Sequence, residues 1–223
     1  MRSYSQFCPL ATGLDLVGER WTLLIVRELG IRPARYSDLR EALPGMATNL
    51  LAKRLRTLLA GGVIDQRTTP APTVATIYVL SEWGRELYDV VLRLGRWGAR
   101  TLLTQPAERD FRARYAIPVV QALYALDADL DGLEPLTIRV DSGAEAAHVT
   151  VSAIGVDAAI DEEVRPADVV LDGPPAAILG LLAGVIDPDD ADGFRADRTA
   201  KRRFRALTRR AVGSARAESR TGP

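Results

Sequence analysis

The chain has 223 residues, with 29 basic and 29 acidic side chains, one cysteine and one histidine. Zero net charge argues against a protein that coats nucleic acid indiscriminately, one cysteine excludes an internal disulfide, and one histidine with one cysteine excludes the usual zinc ligand sets. No apolar run is long enough to span a membrane, and MRSYSQFCPL lacks the charged and apolar regions of a signal peptide, so a cytoplasmic location is expected.

The charge is segregated. Residues 1–105 carry 14 basic and 9 acidic side chains, residues 106–194 carry 5 and 18, and residues 195–223 carry 10 and 2. A basic module joined to a strongly acidic one suggests that only the first meets DNA.

In chain order, Leu10 to Val17 reads as a helix that Gly18 breaks. Trp21 to Leu29 is a second helix, closed by Gly30 and Pro33. Ser37 to Leu43 is a short third helix ending at Pro44-Gly45, and Ala47 to Ala60 a fourth, ended by Gly61-Gly62. Val63–Thr69 and Thr76–Leu80 are β-rich runs around Pro70-Ala71-Pro72-Thr73, which reads as a hairpin tip. Two helices joined by a short Gly-containing turn, with a hairpin behind them, make a winged helix-turn-helix.

At about 100° per residue, Leu51, Leu55, Leu58 and Leu59 of the fourth helix share one face. Asn49, Lys53, Arg56 and Thr57 share the opposite one. The polar face offers an amide that can pair with adenine and cations suited to guanine or phosphate; on this helix alone an ordinary amphipathic helix with a solvated face is the better reading, and the wing and flanking helices turn it toward double-stranded DNA. The expected contacts are Thr48, Asn49, Lys53 and Arg56 on the helix, and Arg67, Thr69 and Thr73 around the wing.

Ser81 reads as the N-cap of a long helix from Glu82 to about Leu103. Its apolar positions Trp83, Leu87, Val90, Leu94 and Trp97 are spaced 4, 3, 4, 3, which is a coiled-coil seam. Such a seam packs either on the protein's own first helices or on a second subunit.

Residues 8 to about 100 resemble the HxlR-type winged-helix transcriptional regulators. The carrying elements are CPLATGLDLVGERWTLLIVREL, RYSDLREALPGMATNLLAKRLRTLLAGGVI and YVLSEWGRELYDVV, in the family's order and spacing. The resemblance implies a homodimer that pairs through the long helix and binds a near-palindromic operator. In part of that family a cysteine before the first helix senses oxidants or electrophiles, and Cys8-Pro9 matches that position. Either a sensing thiol or a small buried side chain fits Cys8.

Gln105-Pro106-Ala107-Glu108 reads as a boundary, giving domains at 1–105 and 106–212, with a disordered tail over 213–223. The second domain reads as a helix within Phe111–Leu126 and strands at Leu136–Val140 and His148–Ser152. A further strand within 164–171, the apolar helix AAILGLLAG, a short strand at Phe194–Ala196 and a last helix from Thr199 to about Ala211 complete it. This is an α+β pattern. It resembles, more weakly, the sterol-carrier-protein-2-like fold, which implies an apolar cavity for a small-molecule effector. A solid core is the other reading.

His148 reads as structural or surface, and Asp187–Gly193 as a solvated acidic turn rather than a calcium loop. The basic tail could touch the DNA backbone or pair with the acidic middle of its own domain, and the second is the favoured reading because opposite charges in one domain attract without any ligand. No phosphate loop or nucleophile elbow occurs, so neither an enzyme nor a cofactor is expected. The alternatives to a DNA-binding regulator are a thiol-based sensor acting through Cys8 and a small-molecule carrier whose first module mainly dimerises.

Overall fold

A computed structural model describes residues 3–70, 74–102, 111–126, 129–143, 145–161 and 165–220. Contacts divide the chain into two compact units, residues 1–91 and 92–223. The division falls inside a continuous helix, and the boundary read at Gln105–Glu108 lies outside the described residues.

The first unit opens with α1 (Pro9–Val17), α2 (Thr22–Ile31), α3 (Tyr36–Ala42) and α4 (Thr48–Ala60). The strands β1 (Ile64–Thr68) and β2 (Thr76–Leu80) follow, then α5 (Glu82–Leu102). The hairpin is antiparallel, pairing Ile64 with Leu80 and Thr68 with Thr76. Its core gathers Ile25, Val26, Leu29, Leu39, Leu51, Leu55, Leu58 and Ile64, all nearly fully buried. These are the apolar positions that helical and strand periodicity bring to one side.

Ser81 caps α5 as expected, accepting from the Gly84 N–H at 3.0 Å. Its hydroxyl also donates to the Gly62 carbonyl at 2.7 Å, which fixes the start of α5 to the end of α4. A Cβ at Gly84 would lie 2.0 Å from the Val63 carbonyl oxygen, so only glycine permits this approach. One turn on, Tyr88 is buried where a Cβ at Gly30 would strike its ring, and burial pushes its phenol well above the ordinary tyrosine range.

The second unit holds a 3₁₀ turn (Ala113–Tyr115), α6 (Ala116–Tyr124) and the strands β3 (Leu136–Asp141), β4 (Ala146–Ser152) and β5 (Gly155–Asp161). After these come β6 (Val169–Leu171), α7 (Pro175–Leu182), β7 (Phe194–Ala196) and α8 (Arg198–Arg220). The five strands form one sheet in the order β5-β4-β3-β6-β7, with only the β3–β6 pair parallel. This is the expected α+β organisation with one strand more, β5.

Register separates the two faces of the sheet. Leu136, Ile138 and Val140 stand opposite Val151, Val149 and Ala147, and all are fully buried. Ile117, Val120, Ile178, Leu181, Leu182, Phe204 and Leu207 from the helices are buried with them. The other face is polar: Thr137 meets Thr150 with their hydroxyls 3.0 Å apart, and Arg139 stands opposite His148. His148 is a buried residue with no hydrogen-bond partner on either ring nitrogen among the described residues.

Tyr124 satisfies its buried hydroxyl by donating to the Leu182 carbonyl at 2.9 Å, tying α6 to α7. Gly193 approaches so closely that a Cβ there would lie 1.5 Å from the Asp172 carbonyl oxygen, and its φ is +85°. That contact brings β7 beside β6.

Helix α8 continues to Arg220, past the end expected near Ala211, so the segment expected to be disordered is helical that far. Its alanines and arginines have high helix propensity, which outweighs the single Gly213. Residues 221–223 lie outside the described residues. Among the described residues, no helix is long and apolar enough to cross a membrane.

Candidate nucleic-acid interface

Helix α4 is held on one side and open on the other. Leu51, Arg54, Leu55 and Leu58 are buried, while Thr48, Asn49, Lys53 and Arg56 are exposed. All four residues expected to contact DNA from this helix therefore reach solvent from one element. Thr57 is half-buried, and its hydroxyl donates to the Lys53 carbonyl at 3.2 Å.

The connection from α3 to α4 is short and fixed. The Arg35 N–H donates to the Asp38 carboxylate at 2.9 Å, capping α3. Gly45 takes the left-handed conformation that the turn requires, with φ +84°. The Tyr36 hydroxyl donates to the Thr48 carbonyl at 2.8 Å, joining the first residue of α3 to the first of α4.

The wing has an additional anchor. Ala34 and Tyr78 exchange backbone hydrogen bonds of 3.1 and 2.8 Å. This bridge adds a third short segment to the hairpin just before α3 begins, which ties the wing to the helical pair. Arg67 is exposed on β1. Thr69 is partly buried and closes the hairpin: its N–H donates to the Ala75 carbonyl at 2.9 Å, and its hydroxyl accepts from the Ala75 N–H at 2.9 Å. It stands at the loop end of the hairpin, one residue beyond the Thr68–Thr76 pair. Thr73 lies outside the described residues.

The sequence reading missed the residues that hold α4 from behind. Arg54 sits between Lys53 and Arg56 yet is only 6% exposed. Its Nη2 donates to the Glu19 carboxylate at 2.6 Å, and its Nε donates to the Arg20 carbonyl at 3.4 Å. Glu19 and Arg20 belong to the turn between α1 and α2. Trp21, next in that turn, has φ +77°, a conformation that a bulky residue adopts only when its surroundings hold it there. The Arg20 guanidinium lies 5.6 Å from the Trp21 ring centroid, and a Cβ at Gly45 would lie 4.0 Å from that ring. One turn, Glu19 to Trp21, thus reaches both α4 and the bend that precedes it. Helical phase carried a signal for this: Arg54 follows Leu51 by three and precedes Leu58 by four, at the edge of the apolar arc.

The seam of α5 divides in the same way. Trp83, Val90, Leu94 and Trp97 are 54, 58, 47 and 69% exposed, and Leu87 is half-buried. The opposite side of the helix buries Gly84, Tyr88 and Leu92. Within the first unit, Trp83 and Val90 are therefore not part of the core. Leu10 and Leu14 of α1 are exposed as well. Cys8, at the N-cap of α1, is a half-buried free thiol, and its carbonyl accepts from the Thr12 hydroxyl at 3.0 Å.

Elsewhere, the acidic turn is occupied by the protein's own cations. Arg205 pairs with Asp187 and Asp189, and Lys201 with Asp189. The Arg205 hydrogen bond holds Asp187 below the usual carboxylate range, as hydrogen bonds from Lys201 and then Arg205 do for Asp189. Among the described residues, no group of three or more His, Cys, Asp or Glu side chains could hold a metal ion.

Comparison with known proteins matches the same region. Residues 16–106 fit the family model described as HxlR-like helix-turn-helix. The HTH-type transcriptional regulator sll1512 of Synechocystis is 33% identical over 101 residues, which cover 45% of this chain and 75% of that protein. The HTH-type transcriptional regulator YodB of Bacillus subtilis is 31% identical over 91 residues, covering 40 and 81%. The HTH-type transcriptional regulator Rv3095 of Mycobacterium tuberculosis is 39% identical over 85 residues, covering 38 and 53%. With its helical pair, its anchored wing and these relatives, the chain belongs to the HxlR-like helix-turn-helix family and is a transcriptional regulator, not an enzyme.

Proposed function

We propose that this regulator binds a near-palindromic operator as a homodimer, with Asn49, Lys53 and Arg56 of α4 in the major groove and Arg67 on the wing near the backbone. The observation that carries it is the sidedness of α4. Its apolar side is buried, and every expected contact on the helix is exposed. Thr48 at the first turn of α4, Thr69 and Thr73 complete the proposed contact set. The exposed seam from Trp83 to Trp97 supports pairing of two α5 helices, which would set two α4 helices on successive half-sites. Lys53→Ala and Arg56→Ala should each weaken operator binding by about 1–3 kcal/mol where a base contact is lost. A lost phosphate contact should instead flatten the dependence of log K on log salt by about 0.9. Wild-type affinity and salt slope in both variants would rule out this face of α4.

The second unit's role is proposed as assembly or regulation on a sterol-carrier-protein-2-like frame. Strand β6, the Pro-started helix α7, the acidic turn, β7 and α8 follow one another in the order that this resemblance implies. Ile178, Leu181 and Leu182 of α7 are almost fully buried with the sheet, which favours a filled core over an open apolar cavity. An apolar effector or cargo would have to displace these side chains.

A thiol switch at Cys8 is the second reading. Its support is position: the half-buried thiol begins α1, whose Leu10 and Leu14 are exposed beside it in sequence. Diamide should then change operator affinity of the wild type and leave Cys8→Ser unaffected. Equal affinity of the wild type in diamide and in reductant makes Cys8 structural.

A further inference from the structure

The second unit sorts the basic residues of α8 into two sets. Lys201, Arg203, Arg205 and Arg210 are committed to the domain itself. Lys201 and Arg205 hold the acidic turn, Arg203 pairs with Asp168 and Glu134, and Arg210 donates to the carbonyls of Asp129 and Asp131 at 2.9 and 3.1 Å. The sequence expectation of pairing with the domain's own acids is met by Lys201, Arg203 and Arg205.

Arg198, Arg202 and Arg209 are different. All three are exposed, and none has an ion-pair partner among the described residues. At about 100° per residue they fall within about 40° of one another. They therefore form one stripe about 16 Å long at about 1.5 Å per residue. No acid occurs between Arg198 and Arg210. Asp197 precedes the stripe, and its carboxylate accepts from the Ala200 N–H at 2.7 Å. In sequence the same spacing recurs at Arg216 and Arg220.

We infer that this arginine stripe on α8 is a second, sequence-independent contact with the phosphate backbone of duplex DNA. Charge complementarity decides the class of partner. An unpaired cationic row of this length matches several phosphates, since each strand presents one about every 3.4 Å along the duplex axis. A membrane surface is disfavoured because, among the described side chains of α8, the large apolar ones, Phe204 and Leu207, are buried in the domain and do not flank the stripe for insertion. The acidic domain around the stripe weakens any approach to polyanions by itself. Contact therefore depends on the first unit, which raises the local concentration of DNA around the second.

The inference rests on the DNA reading above, so the test separates the two. Full-length wild type is compared with Arg198→Gln/Arg202→Gln/Arg209→Gln, in which glutamine keeps helix propensity. Each protein is titrated with its genomically selected duplex, either trimmed to the protected site or extended by about 20 base pairs at each end, over a range of salt. On the extended duplex the variant should bind on the order of tenfold more weakly at about 0.1 M salt, with the salt slope reduced by about 2 to 3. Its preference for the selected over a scrambled sequence should be unchanged. The Arg→Lys triple variant should retain wild-type binding, because a phosphate contact needs only the charge. Equal affinity and slope of the glutamine variant and wild type on the extended duplex overturn the stripe while leaving α4 intact. Absence of sequence preference in the wild type overturns the α4 reading instead. If DNA binding is unchanged while phosphatidylserine vesicles or polyglutamate bind only the wild type, the stripe serves another polyanion and the inference fails.

Discussion

Replacing Val90 and Leu94 together by aspartate should convert the proposed dimer to a monomer at micromolar concentration. Both side chains are on the seam of α5, and at 58 and 47% exposure neither is needed to complete the protomer's own core. The protomer should fold, because Tyr88 and Leu92 on the other side of the helix are untouched. In a pair of α5 helices the change would bury four carboxylates with no cation on the seam between Trp83 and Trp97 to meet them. Each unpaired buried charge costs several kcal/mol after relaxation, so a micromolar dimer should not survive two per subunit. Each seam residue also gives up roughly 1.5–3 kcal/mol of apolar burial. Light scattering of the wild type and the variant gives the answer. A soluble wild-type monomer at micromolar concentration would count decisively against the dimer, and an unchanged dimer in the variant would move the interface off α5.

Arg54→Met should lower operator affinity by about tenfold or more, although Arg54 itself has almost no surface to offer DNA. The guanidinium anchors the middle of α4 to the turn at Glu19 and Arg20. Without it, the spacing between α4 and that turn rests on apolar contacts alone, and misplaced readers lose bidentate geometry first. Stability should fall by about 1–3 kcal/mol. Full loss of a buried pair is discounted because the Glu19 side chain is 49% exposed and stays solvated. The double variant Arg54→Met/Glu19→Gln should be about as stable as Arg54→Met, because a solvated Glu19 costs little when unpaired, and operator binding should stay weak although both variants remain folded. That split distinguishes positioning from simple loss of fold. Wild-type affinity in Arg54→Met would refute the positioning role.

What could be read in the sequence follows from how local its cause is. The faces of α4 and the seam of α5 come from helical period alone, so Lys53 and Arg56 were placed outside, and Trp83 and Trp97 on one side, without any tertiary information. The Ser81 cap was equally legible, because its hydroxyl acts on an N–H three residues away. Arg54 was not singled out because its partner is 35 residues distant and its neighbours Lys53 and Arg56 have the same charge. The Ala34–Tyr78 bridge was missed for a similar reason: two residues of pairing leave no periodic trace. Strand β5 was the opposite case. Val156, Ala158 and Ile160 alternate with Asp157, Ala159 and Asp161, a period of two in plain view, yet alanine and aspartate are poor strand formers and hid it. Pairing with β4, which sets half-buried Val156 opposite Val151 and Ala158 opposite Val149, outweighs that propensity.

Sequence-selective DNA binding is the claim on which the rest depends. Full-length protein should be used to select fragments from random genomic DNA, and the enriched duplex compared with its scrambled counterpart by direct titration at about 0.15 M salt. The account predicts a near-palindromic enriched site whose affinity exceeds that of the scrambled duplex by roughly a thousandfold or more, and equal affinity for the two duplexes would contradict it.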